Sequence, residues 1–248
     1  MTRLYNRYDF FLFILISSVV FGMIGNGAQP ARLLSLSVFP FMLRDAFKGK
    51  HRSIWYYRFE CFFLFFWWLW ALSFFFKAVD ATESGKHLAF LLIHIIGFFE
   101  ILWASCKALQ PQRAIQYGWM FFMILSLPVA VYEFLTDFHL PMSVYDTGTT
   151  IEYNGIKIER PFASVTFGNL NTYNTTLCWA LPSLFMCNLY PRNKFDKFLG
   201  FSVLACVSLI IIANASRGAI LCLGLLIATY VICYYKTGRN RTLLIIVL

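Results

Sequence analysis

Charge is scarce in this sequence. Of its 248 residues only 13% are Asp, Glu, Lys or Arg, whereas 59% are hydrophobic, and the mean hydropathy is +0.65. A water-soluble domain of this length needs far more charge on its surface, so that class is excluded. Ligand spacing is missing as well. None of the seven cysteines (Cys61, Cys106, Cys178, Cys187, Cys206, Cys222, Cys233) stands in a CxxC pair or beside a histidine at metal-binding distance in sequence. They fall within or at the ends of apolar runs and read as small packing residues, so no metal site or disulfide framework is suggested. No repeat, low-complexity tract or soluble domain is evident. Acidic residues are the rarer sign, 12 against 21 basic, giving a net charge of +9. A membrane protein acquires such a balance from its cytoplasmic loops, so nucleic acid is not implied as a partner.

What the sequence has in abundance is apolar runs of bilayer-crossing length. Eight candidate spans lie at 9–26, 28–43, 54–76, 87–106, 117–135, 170–190, 198–214 and 218–235, the second of them short. The expected fold is all-α, a polytopic α-helical membrane bundle forming one transmembrane domain over 1–248, with the lipid bilayer as its first partner. "TLLIIVL" at 242–248 opens a ninth run that is too short to cross, so the sequence is expected to be C-terminally incomplete. The first run has a basic flank and no small-residue cleavage site, and it reads as an anchor rather than a signal peptide.

The loops alternate in charge. Arg3 with Arg7, "RDAFKGKHR" (44–52), Lys107 with Arg113, "RNKFDK" (192–197) and "KTGRNR" (236–241) are basic, and the intervening loops are neutral or acidic. The positive-inside rule then puts the N-terminus in the cytoplasm and the 136–169 loop outside. The aromatic run "CFFLFFWWLWALSFFF" (61–76) has no polar residue to orient a ligand, and reads as a lipid-facing or helix-packing surface.

Two stretches break the apolar pattern on the expected outer side. "TTIEYNGIKIER" (149–160) alternates apolar and polar residues about Asn154-Gly155, a hairpin signal because both turn positions tolerate positive φ. A small external β-hairpin near 149–160 is expected to deliver Arg160 to the membrane surface, and Pro161 to end the strand. A helix then starts after Gly168, with Asn169 or Asn171 as N-cap. Asn171, Asn174, Thr175 and Cys178 follow helical spacing and predict one polar stripe facing a protein interior or a watery cavity. Pro182 lies further in and is placed to kink the helix. The free N–H groups of the helix start suit a phosphate. The second stretch, "NASRGA" (214–219), puts Arg217 in a tight connection between two spans. Taken alone it reads as an arginine reaching to lipid headgroups. Paired with Arg160 on the side the positive-inside rule depletes of arginine, it suits a pyrophosphate.

"RPFASVTFGNLNTYNTTLCWALP" followed some forty residues later by "NASRGA" resembles the O-antigen ligase and O-antigen polymerase superfamily of bacterial membrane proteins. The shared pattern is an Arg, then a Gly-Asn-x-Asn helix start, then Ser-Arg-Gly; it covers residues 160–235 specifically and the span architecture broadly. The resemblance implies a metal-independent, cofactor-free glycosyltransferase of the C type in the bacterial cytoplasmic membrane. Such enzymes move a glycan from an undecaprenyl-pyrophosphate carrier to an acceptor lipid or glycan, or in some members a protein, at the outer face. By this resemblance Arg160 and Arg217 are the catalytic pair that binds the donor pyrophosphate and stabilises its growing charge. Asn169, Asn171, Asn174 and Ser216 of the second motif would line the same substrate site. The family's general base, a histidine in a late external loop, would fall after Leu248. His139 precedes the motif, and His51, His87 and His94 fit surface or packing roles. Without that base, a chain ending at Leu248 would bind the donor and transfer nothing.

Two other readings compete. A non-catalytic transporter, flippase or binding protein for a lipid-linked glycan also needs polar stripes in membrane helices, although it more often shows charges at mid-membrane. A structural membrane subunit would carry the motifs by accident. Glu100 and Arg58 sit inside apolar segments without an assigned role.

Overall fold

The computed structural model describes residues 5–22, 29–48, 58–77, 79–139, 150–153, 156–159, 161–167, 170–189 and 191–236. Among these residues it has eight α-helices: α1 (Arg7–Ser17), α2 (Pro30–Phe47), α3 (Arg58–Phe75), α4 (Ala81–Ser105), α5 (Pro111–Thr136), α6 (Leu170–Leu189), α7 (Lys194–Ala213) and α8 (Arg217–Lys236). Two four-residue strands, β1 (Thr150–Tyr153) and β2 (Ile156–Glu159), pair antiparallel with Ile151 opposite Ile158. The expected turn at Asn154-Gly155 lies outside the described residues.

Among the described residues, three helical stretches are long and apolar enough to cross a membrane: Ser84–Ser105, Pro111–Thr136 and Lys194–Ala213. Three of the eight expected spans meet that measure, and the other helices fall short of it for local reasons. α1 is only 11 residues long before it tightens into a 3₁₀ turn, Ser18–Phe21. α2 carries Arg32, Arg44 and Asp45, and the first two turns of α6 are diluted by Asn171, Thr172, Asn174, Thr175 and Thr176. The apolar part of α8, Arg217–Ile232, falls in the shorter class. At 1.5 Å per residue its length is about 24 Å, against roughly 30 Å of hydrocarbon.

The chain divides into two compact units, residues Met1–Val19 with Ala28–Ile115, and residues Val20–Gly27 with Gln116–Leu248. In the first unit, α1 starts with a reciprocal cap. Asn6 Oδ1 accepts from the N–H groups of Tyr8 and Asp9, and Asp9 Oδ2 accepts from Asn6 N–H at 2.7 Å. Such a cap contributes about 1 kcal/mol. Asp9 also accepts from the N–H groups of Leu109 and Gln110, at 3.1 and 2.7 Å, which ties the cap to the connection between α4 and α5. Lys107 from the same connection pairs with Asp45 at the end of α2. Beneath these polar ties Leu12, Met42, Trp103, Ala104 and Ala114 form the local core.

In the second unit, α6 packs against α7 and α8. The buried set comprises Phe122, Met123, Tyr173, Leu177, Leu181, Leu184, Val207 and Ile211, all under 2% exposed. Recurrence at three- and four-residue intervals on α6 sets one face of that helix into the core. α7 begins at Lys194, four residues before the expected 198, because Asn193 caps it by accepting from Asp196 N–H at 2.7 Å.

Candidate functional site

The expected site residues divide between described and undescribed parts of the chain. Arg160 and Asn169 lie outside the described residues. α6 begins at Leu170, so Asn171 stands in its first turn rather than capping it. The polar stripe does not stay together. Asn174 is 1% exposed, Cys178 is half-buried, and Asn171 and Thr175 are left uncovered by this chain. Helical geometry explains the split. Tyr173, Leu177, Leu181 and Leu184 define the buried face, Asn174 sits at its edge, and Asn171 and Thr175 are turned away from its centre. Thr175 Oγ1 donates to the Asn171 carbonyl at 2.8 Å. On its uncovered side this helix therefore satisfies part of its own polarity.

Arg217 is the first residue of α8 and is exposed. Among the described residues its side chain has no ion-pair or hydrogen-bond partner. Half-buried Ser216 precedes it, its carbonyl accepting from Ile220 N–H at 2.9 Å as the residue before a helix does. The turn from α7 to α8 takes only Asn214, Ala215 and Ser216, and Ala215 adopts a left-handed backbone, φ 49°, to reverse the chain that fast.

A set of buried polar contacts below this turn was not foreseen. The Asn214 side chain is fully buried; its Oδ1 accepts from Ala163 N–H at 2.8 Å, and its Nδ2 donates to the Ala163 carbonyl at 3.1 Å. The same Nδ2 donates to Asn174 Oδ1 at 3.0 Å. One carboxamide thus ties the turn before Arg217 to the segment after Arg160 and to α6. A second tie comes from Glu133, fully buried in the last turn of α5. Its Oε2 accepts from the N–H groups of Ser164 and Val165 at 2.7 and 2.8 Å.

Val165 has φ 54°, a conformation that a β-branched residue rarely adopts. Such strain costs on the order of 1–3 kcal/mol. Hydrogen bonds to a charged acceptor contribute roughly 1.5–3 kcal/mol each. The pair of them at Glu133 therefore outweighs the strain and holds the loop in shape. His139 lies over the same carboxylate, with Nδ1 3.7 Å from Glu133 Oε1 and Nε2 3.5 Å from Asp137 Oδ1. These separations are too long for hydrogen bonds. The imidazole is fixed instead by stacking on Phe162, centroid to centroid 4.1 Å and 16° from parallel.

The segment held this way, 161–167, turns inward. Phe162, Ala163, Ser164, Val165 and Phe167 are all under 5% exposed. Phe167 stacks on Tyr173 at 5.5 Å and meets Phe122 edge-on at 6.3 Å. Thr166 Oγ1 donates to the Val20 carbonyl. Next to it, Gly22 has φ 53°, and a Cβ there would stand 1.9 Å from the Thr166 carbonyl oxygen. Only glycine permits that approach of two backbones.

The amide groups of Ser164 and Val165 are thus already matched by an anion, the protein's own Glu133. Among the described residues no group of three His, Cys, Asp or Glu side chains is arranged to hold a metal ion. Asn214 is legible after the fact, since it opens the "NASRGA" stretch already singled out for Arg217. Glu133 carried one signal, a lone acid near the end of an apolar run that leads into the 136–169 loop. Its backbone partners carry none, because any residue type supplies an N–H. Comparison with known proteins gives no match to a protein family, to a curated protein or to a solved structure.

Proposed function

We propose that the Arg217 end of the second unit binds the pyrophosphate of a polyprenyl-linked glycan and that the protein transfers this glycan to an acceptor. The reading follows the resemblance of residues 160–235 to the O-antigen ligase and polymerase superfamily. In it the protein is a multi-pass protein of the bacterial cytoplasmic membrane with about eight crossings, its N-terminus in the cytoplasm and the β1–β2 hairpin outside. One observation carries it furthest: Asn214, three residues before Arg217, hydrogen-bonds both backbone groups of Ala163, three residues after Arg160. A side chain spent on joining these two segments makes sense where the residues flanking the join act together.

In this mechanism the forked guanidinium groups of Arg160 and Arg217 grip the two phosphates and neutralise the charge that grows as the glycosidic bond to pyrophosphate breaks. Asn214 and Glu133 touch no substrate; they hold the arginine-bearing segments, and Asn169, Asn171, Asn174 and Ser216 line the donor site. The acceptor hydroxyl needs a base, which the resemblance assigns to a histidine of a late external loop. The test is glycan transfer in cells that depend on the complete protein. Arg160→Ala and Arg217→Ala should each reduce transfer by at least tenfold at unchanged protein level. Asn214→Ala should reduce it as well, by loosening the join. Full transfer by both arginine variants would overturn these roles.

A further inference from the structure

A second buried acid lies in the first unit and has no place in the proposed transfer. Glu100 is 0% exposed and sits within the apolar stretch Ser84–Ser105, five residues from its end and so about 7–8 Å inside it. Neither of its carboxylate oxygens has a hydrogen-bond partner among the described residues. The Ser35 hydroxyl of α2 faces it and also lacks a partner within hydrogen-bond geometry. Opposite Ser35 on α4 is Gly97, whose Cβ position would lie 3.6 Å from the Ser35 oxygen. The polar pair is thus walled by close helix contact.

The nearest cations that the described residues place on α2 and at the end of α4, Arg32 and Lys107, are engaged elsewhere. The Arg32 guanidinium stacks over Phe90 at 4.1 Å, and Phe90 precedes Glu100 by ten residues, about 15 Å along α4. His94 is six residues before Glu100, about 9 Å along the axis and on a different side of the helix. Lys107 is paired with Asp45. The remaining acid of α1, Asp9, is taken up by the amides of Leu109 and Gln110. A bare carboxylate with no hydrogen-bond partner among the described residues is costly in a dry interior, whereas a neutral carboxylic acid is not.

We propose that Glu100 is a proton-binding site inside the membrane, its carboxyl carrying the proton with the Ser35 hydroxyl as first polar neighbour. This inference stands apart from the glycan-transfer reading, since it uses none of the same residues. Dicyclohexylcarbodiimide, a lipid-soluble reagent, tests it. The carboxylic O–H adds across a C=N bond of the reagent, the oxygen bonding to carbon and the proton passing to nitrogen. The adduct then rearranges to a stable acylurea that keeps every atom. With the full chain in lipid vesicles, peptide mass spectrometry should find the adduct on Glu100 and not on Glu133, which is equally buried but accepts from two backbone amides. Infrared spectra of wild type and Glu100→Gln provide the second measurement. Loss of a carboxylic-acid carbonyl band in the variant supports the proposal whether or not the reagent reaches the site. Loss of a carboxylate band instead overturns it.

Discussion

Glu133 and Glu100 are both fully buried, one in each compact unit, and their surroundings differ in every other respect. Glu133 meets two backbone N–H groups of a loop at 2.7 and 2.8 Å, with a histidine ring over its other oxygen. Glu100 meets two helix faces whose backbone groups are used up by their own helices, leaving one hydroxyl in view. A helix hides its amides from its neighbours, while an irregular segment offers them. The irregular segment 161–167 can therefore house a carboxylate, and the α2–α4 contact houses only a carboxylic acid. The difference assigns the acids different work. Glu133 shapes a loop, and Glu100 holds a proton.

Substitutions at three positions break or sharpen this contrast. The largest effect is expected from Gly22→Ala, which drives a methyl group into the Thr166 carbonyl at a φ that alanine resists. Neither backbone can yield, so the loop that Glu133 holds loses its seat, and little folded protein should be recovered by size-exclusion chromatography in detergent. Next comes Glu133→Ala, which strands two buried N–H groups and releases the strained Val165. A loss of about 3–5 kcal/mol is expected from its unfolding midpoint in denaturant. Glu133→Gln, which keeps an acceptor oxygen, should lose less. The smallest effect belongs to Glu100→Gln. The amide is a neutral replacement of similar shape for a protonated acid, so the same titration should shift by no more than about 1 kcal/mol. A loss as large as that of Glu133→Ala would erase the contrast and assign Glu100 a charge.

Much of the helical frame was readable from residue order. The apolar runs predicted helices at each place where one is found, since a segment without charge in a bilayer has little choice but to satisfy its own backbone. Their ends were less readable. The first run's helix stops short at Phe21, and the Gly22 that follows lies against the Thr166 backbone of a loop distant in sequence. The stripe from Asn171 to Cys178 divides because α6 buries the side centred on Leu177, a choice made by its neighbours α7 and α8.

By itself, then, the sequence determined that this is an apolar, helix-rich chain of membrane character, and it marked 159–182 and 214–219 as the places where polarity intrudes. Tertiary structure alone decided which polar groups meet. Asn214 reaches Ala163 across 51 residues and Glu133 reaches Ser164 across 31, each through backbone atoms that every residue carries alike. Such contacts leave no trace in residue identity on the backbone side, so only the folded chain could reveal that the loop after Arg160 is fastened to the turn before Arg217.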